Sequence, residues 1–247
     1  MEALAGFTAL QIVAALAAGF VAAFVRGLAG FGLAILLVPV LALVLSPVEA
    51  VLVTNALAVM LGLSEAPQLL RESDRSALPL SALTFVFTFP GFWALAAAPP
   101  DIARLIIALV ALAAFGAVLV PASKTQRATG KGAIALAGAG SGLATGFAGM
   151  PGAAIVPFYM RTGLPRAAIK PSMLLVFTVA AATGLLAGVV TGEARWSHPV
   201  LALLLLPIVW VGNRAGGWGF GRVSDTLWRS IVAIILGASA LAALLRL

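Results

Sequence analysis

The chain alternates long apolar runs with short clusters of charge, glycine and proline. Uninterrupted apolar stretches cover about residues 5–25, 28–45, 48–70, 77–97, 102–120, 133–147, 149–160, 169–190, 199–213 and 227–246. A helix needs roughly 17–25 apolar residues to cross a bilayer, so most of these read as membrane spans. The pair 133–147 and 149–160 falls short, segment by segment, and is split by Gly146, Gly149, Pro151 and Gly152. Two half-helices meeting inside the membrane fit this pattern, and so does one long kinked helix.

Loop charge separates those two readings. The linker 121–132 carries Lys124, Arg127 and Lys131, and 161–170 carries Arg161, Arg166 and Lys170, with no acid in either. Lys and Arg concentrate in cytoplasmic loops, so both face the cytoplasm and 133–160 enters and leaves on one side as a re-entrant hairpin. Arg71 with Arg75, and Arg214 with Arg222, place 71–76 and 214–226 inside as well. Ser46–Pro47 and Pro99–Pro100 hold no Lys or Arg, and 191–198 holds Arg195 alone, so these read as outside. Counting crossings backward places both termini outside. The start lacks a basic region before its first apolar run, which reads as a permanent segment rather than a cleaved signal.

The two halves share a pattern. Pro39, Pro47, Ala50 and Thr54 recur as Pro157, Pro165, Ala168 and Ser172 with the same spacing, and Gly27-Leu28-Ala29-Gly30 as Gly146-Phe147-Ala148-Gly149. Each half is a glycine-broken hairpin followed by three spans, and an odd number of spans turns the second half over. The expected fold is an all-α polytopic membrane protein built as a single transmembrane domain over 1–247. Its inverted repeats are 5–121 and 133–247, joined by the cytoplasmic linker 121–132. Inverted repeats with discontinuous helices are a recurrent plan of secondary transporters.

Composition agrees with a membrane chain. Hydrophobic residues make up 62% of the 247 positions and charged ones 9%, with a mean hydropathy of +1.15. Soluble domains run near half apolar and a quarter charged. The net charge of +7 is explained by the cytoplasmic loops, and no basic run is interleaved with aromatics, which argues against nucleic acid. With no cysteine and His198 as the sole histidine, disulfides, Cys-ligated metals and a His-rich metal centre are excluded. No cofactor is expected.

Arg26 is the first candidate for chemistry. It is the sole Lys or Arg before Arg71 and sits at the expected apex of the first hairpin. A cation there is deep in the membrane, a functional signal by default, if the hairpin is re-entrant; if 5–25 and 28–45 each span, it lies at the surface. Gly27, Gly30, Gly32, Gly149 and Gly152 either let backbone N–H groups approach an oxyanion or let helices pack closely. Thr54, Asn55 and Ser172 open the first full span after each hairpin and either coordinate an anionic head group or bridge helices. Glu65, with Arg71 as a partner, and Lys170, Asn213 and Arg214 read as groups reaching for the inner interface; His198 reads as interfacial at an outer loop. Ser141, between Gly140 and Gly142, suggests a serine nucleophile, but no general base accompanies it, so an intramembrane enzyme is not expected.

The sequence resembles the TauE/SafE sulfite exporter family, also called the toluene-sulfonate uptake permeases. The resemblance rests on Gly27-x-x-Gly30-Phe31-Gly32 leading to Val38-Pro39, then Pro47-x-x-Ala50-x-x-x-Thr54. It recurs in Gly142-x-x-x-Gly146-x-x-Gly149-Met150-Pro151-Gly152 leading to Val156-Pro157, in Gly163-Leu164-Pro165, and in the tail through Leu206-Pro207, Gly212, Gly216 and Arg222. Members often carry two or three consecutive glycines where this chain has Phe31-Gly32-Leu33-Ala34. What the resemblance implies is a polytopic carrier of sulfite, sulfonates or related small organosulfur anions; with the inverted repeat, the expectation is a transporter of the inner (plasma) membrane working by alternating access, with direction and coupling to a proton or sodium gradient left open. Carboxylates or amino acids are the alternative cargo. The small residues on the spans also suit a homodimer.

Overall fold

The computed structural model describes residues 9–119 and 130–219. Its helices are α1 (Ala9–Ala29), α2 (Leu33–Leu41), α3 (Pro47–Glu72), α4 (Ala77–Ala97), α5 (Pro100–Leu119), α6 (Lys131–Ala148), α7 (Gly152–Tyr159), α8 (Arg166–Val190) and α9 (Ser197–Gly219), with no strand among the described residues. Four of them, namely α3, α4, α8 from Ala167 onward and α9, are long and apolar enough to cross a membrane. The expected last span, 227–246, and most of the linker 121–132 lie outside the described residues.

Local chemistry sets the boundaries. Ser46 starts α3 through a reciprocal cap: its hydroxyl accepts from the Glu49 N–H at 3.2 Å, and the Glu49 carboxylate accepts from the Ser46 N–H at 2.9 Å. Pro47 follows at the first helical position, where its missing N–H costs nothing. α6 and α7 are separated by Gly149, at φ 67°, and by Pro151. That break falls within a few residues of the sequence expectation. The first break does not fall at Arg26. α1 runs on to Ala29, and the chain reverses at Gly30 and Gly32, the latter at φ 111°, a conformation L side chains rarely adopt. Arg26 therefore lies inside the last turn of α1 rather than at the apex.

Helix pairing brings the breaks together. α1 runs along α9, α4 along α6, and α3 packs against α8. α3 and α8 are antiparallel: Leu52 meets Gly188, Asn55 meets Gly184, Gly62 meets Thr178, and the Asp74 N–H donates to Ser172 Oγ at 2.7 Å. Glycines let the backbones of the other two pairs touch. Gly27 lies against the Asn213 carbonyl and Gly216 against that of Phe24; likewise Gly146 lies against the Thr88 carbonyl and Gly91 against that of Leu143. Close approach through small residues is the usual means of association where lipid offers no hydrophobic drive.

The surface is apolar and the interior holds the polar groups. Leu70, Leu136, Trp93, Trp196 and Trp218 are exposed, whereas Arg26, Thr54, Asn55, Ser141, Thr145 and Asn213 are buried. That distribution suits a lipid surround. His198, expected at the interface, is also buried: its Nδ1 accepts the Arg195 N–H at 3.1 Å and closes the turn that starts α9.

Candidate functional site

Both helix breaks open onto one cavity of about 40 Å³ between α3 and α8. From the first break come Gly32 and the opening turn of α2, Leu33 to Ile35; from the second come Gly149, Met150, Pro151 and Gly152 at the start of α7. α3 contributes Thr54 and Asn55, α8 contributes Phe177, and α1 contributes Arg26. The opening turn of a helix has N–H groups without intrahelical acceptors and carries the positive end of the helix dipole. Two such ends and a guanidinium therefore meet in one place, a setting that favours negative charge.

Two further donors are unspent. Thr54 Oγ1 and Asn55 Nδ2 are buried and have no hydrogen-bond partner among the described residues. A buried polar atom left unpaired costs about 1–3 kcal/mol, and such atoms in a native fold call for an explanation. Both residues line the cavity; the Asn55 amide nitrogen lies against Gly184 of α8 and its oxygen toward Gly149.

Arg26 is held from the other side. Its Nη1 donates to Glu65 Oε1 at 3.1 Å and to Asn213 Oδ1 at 2.8 Å, and its Nη2 donates to Glu65 Oε2 at 2.9 Å. Asn213 Nδ2 donates to Glu65 Oε1 at 2.9 Å and closes the triangle. Lys170 Nζ donates to the Gly27 carbonyl at 2.7 Å. Arg26, Glu65, Lys170 and Asn213 line a second, larger space of about 260 Å³, a vestibule at the end where α3 finishes and α8 begins. Arg26 borders both spaces.

In this membrane chain two broken helices thus begin on a cavity that the buried Arg26 also lines. The sequence profile of the sulfite exporter TauE/SafE family matches residues 15–243, nearly the whole length. The chain belongs to the TauE/SafE sulfite exporter family. Membership places it among membrane transporters. No curated protein and no solved structure matches it.

In this family member, six of the nine residues expected at the site line the cavity: Arg26, Gly32, Thr54, Asn55, Gly149 and Gly152. Gly27 and Gly30 stand beside it. Gly27 borders the vestibule and packs on the Asn213 carbonyl, while a Cβ on Gly30 would stand 2.8 Å from the Lys170 side chain. Ser172 is placed elsewhere: its hydroxyl accepts from the Asp74 N–H and donates to the Ala168 carbonyl, joining the α3–α4 turn to α8. In that turn the Ser76 hydroxyl and N–H bond to Asp74 and hold its carboxyl below the usual range.

Three residues read from the sequence as interfacial belong to the cluster. Glu65 pairs with Arg26 and not with Arg71; Asn213 and Lys170 turn inward to α1 rather than out to the interface. The available signal was position. Each stands several residues inside its helix end, where a charge or amide facing lipid is costly.

Proposed function

We propose that this chain is a secondary transporter of the inner membrane that moves sulfite, sulfonates or related small organosulfur anions by alternating access. One observation carries the reading: two half-helix N-termini, Arg26, and Thr54 and Asn55, each with an unpartnered buried polar atom, line a single cavity. Sulfite and sulfonates present three oxygens around sulfur, enough to accept from a guanidinium, a hydroxyl and an amide together. Gly149 and Gly152 keep side chains out of the space between the anion and the backbone.

The halves 5–121 and 133–247 act as inverted repeats, each a re-entrant hairpin and three spans, with 121–132 as the cytoplasmic linker and both termini outside. The packing supports this. α1 lies along α9 as α6 lies along α4, and the carbonyl contacts of Gly27 and Gly216 are repeated by those of Gly146 and Gly91. Interchangeable halves can expose a shared site to either face in turn. The cavity size supports a need for such movement. About 40 Å³ accommodates a water or two, so a sulfonate enters after the hairpins part. The energy comes from an ion gradient, with no cofactor.

The second reading, a carboxylate as cargo, has its own support. The Arg26 fork already holds a carboxylate, that of Glu65, through both oxygens, and guanidinium geometry suits either class. Uptake of radiolabelled sulfite, isethionate, sulfoacetate, succinate and alanine into proteoliposomes decides between them. Flux of the sulfur anions alone is the expected result. Flux restricted to succinate or alanine would replace the substrate class, and no flux above empty liposomes would remove the transport reading.

A further inference from the structure

Arg26 faces two competitors for the same donors. Toward the central cavity stands the proposed anion; toward the vestibule stands Glu65, which already engages both terminal nitrogens. The carboxylate of Glu65 has the charge and the paired oxygens of the expected cargo. It sits where a ligand of Arg26 would sit, on a tether, with Asn213 completing its hydrogen bonds.

We infer that Glu65 is a tethered competitor of the transported anion, so that anion binding at Arg26 and the Arg26–Glu65 pair exclude one another. The inference rests on the transport reading above and adds the device that links it to protons. When an anion takes the guanidinium, the Glu65 carboxylate loses its principal counter-charge in a part-buried setting, where an unpaired charge is strongly disfavoured. It takes up one proton and becomes a neutral carboxylic acid. Linkage is reciprocal: if the anion promotes protonation of Glu65, protonation promotes binding of the anion. Each anion therefore enters with a proton, and both leave when the site opens to the other face.

The surroundings of Glu65 are consistent with this. Facing it are Arg26 from α1, Asn213 from α9 and Lys170 from α8; Gln68 on its own helix and Arg214 on α9 share the vestibule. No second carboxylate lines the vestibule among the described residues, so Glu65 is the group there that can take the proton. The repeat makes the device one-sided. In the register that matches Thr54 to Ser172, Glu65 falls opposite Thr183, and in the register that matches Gly27 to Gly146, Arg26 falls opposite Thr145; both threonines are buried and neutral.

The test is Glu65→Gln, which keeps the shape and can still accept from Arg26 but cannot titrate. Binding of isethionate, sulfoacetate and sulfite to purified wild type and variant is measured between pH 5 and 8, together with flux in proteoliposomes. Isethionate keeps a fixed charge over that range, so its pH dependence reports the protein. Wild-type affinity is expected to rise toward about tenfold per pH unit of acidification across the Glu65 titration, and an inward proton gradient to drive accumulation. Glu65→Gln is expected to bind tightly at all pH values, to exchange anion, and to lose accumulation. Asn213→Asp, which gives Arg26 a second carboxylate, is expected to weaken binding at pH 8 and steepen the pH dependence.

A slope that survives in Glu65→Gln overturns the inference while transport stands. So does a folded Glu65→Gln that no longer binds, since Glu65 would then be positioning Arg26 rather than competing for it. Asn213→Asp, with the opposite expected sign, decides the matter should Glu65→Gln not fold. Wild type that binds and moves none of the three anions overturns the transport reading itself, and the inference with it.

Discussion

The side-chain amide of Asn55 rests directly against Gly184: a Cβ built there would collide with Asn55 Nδ2. Asn55 stands eight residues along α3, about 12 Å from its start by helical rise, and Gly184 is what lets α8 come close enough to support it. Gly184→Ala is therefore expected to cost about 1–3 kcal/mol through overpacking and to cut anion flux at least tenfold by displacing the amide. Gly132→Ala, where nothing lies within 4 Å, should leave melting temperature and flux unchanged. Equal behaviour of the two variants would remove Asn55 from the site.

Thr54→Val replaces an unpartnered buried hydroxyl by a methyl group of the same shape. A purely structural threonine would lose stability on this change. Removal of an unsatisfied group is instead expected to raise stability, by up to about 1 kcal/mol, while affinity for the anion falls. Thermal melting in detergent and direct binding, measured side by side, give the two signs.

Arg26→Gln leaves the Glu65 carboxylate part-buried without its counter-charge. Breaking such a pair costs about 3–5 kcal/mol, so the single variant should melt well below wild type. The double variant Arg26→Gln with Glu65→Gln removes both charges and should regain most of that loss. Flux should be absent from both, because the cation itself is gone. A double variant that transports would exclude Arg26 as an anion ligand.

Asp74, in the α3–α4 turn, gives a pH prediction outside the membrane. The hydroxyl and N–H of Ser76 bond to it and hold its carboxyl below the ordinary aspartate range. A depressed native pKa contributes stability that is present above the unfolded pKa and lost as pH falls through the native one. Asp74→Asn should thus be less stable than wild type at pH 6, and the difference should narrow as the pH is taken below 4. The effect is small, because the group is only part-buried. A gap between the melting curves that is constant over this range would show that Asp74 contributes nothing through its charge.

The four helices Gly27 and Gly146 hold together make a further comparison. Each glycine lies against a carbonyl of a neighbouring helix, Asn213 for one and Thr88 for the other. Leucine at Gly146 is expected to separate α6 from α4 and abolish accumulation of folded protein. Leucine at Gly27 should do the same to α1 and α9, with both effects read as loss of a monodisperse peak in detergent. Survival of either variant with normal flux would show that the close approach is dispensable.

The limits of most helices could be read from the order of apolar and polar residues alone, and so could the second break, to within a few residues. Apolar run length and the left-handed turn at Gly149 are local properties, set by hydropathy and by the missing Cβ. The sequence also singled out Arg26, Thr54 and Asn55, because buried charge and amide groups are rare in an apolar chain. It misjudged the first break by several residues, since Gly27 stays helical to let α9 approach, while Gly30 and Gly32 make the reversal. The partners of Arg26 were decided by tertiary structure. Glu65 is 39 positions away and Asn213 is 187, whereas Arg71, nearer to Glu65 in sequence, takes no part in the cluster. Which charges meet depends on how α9 lies along both α1 and α3, and in a membrane such packing is settled by glycine-to-carbonyl contacts between distant helices.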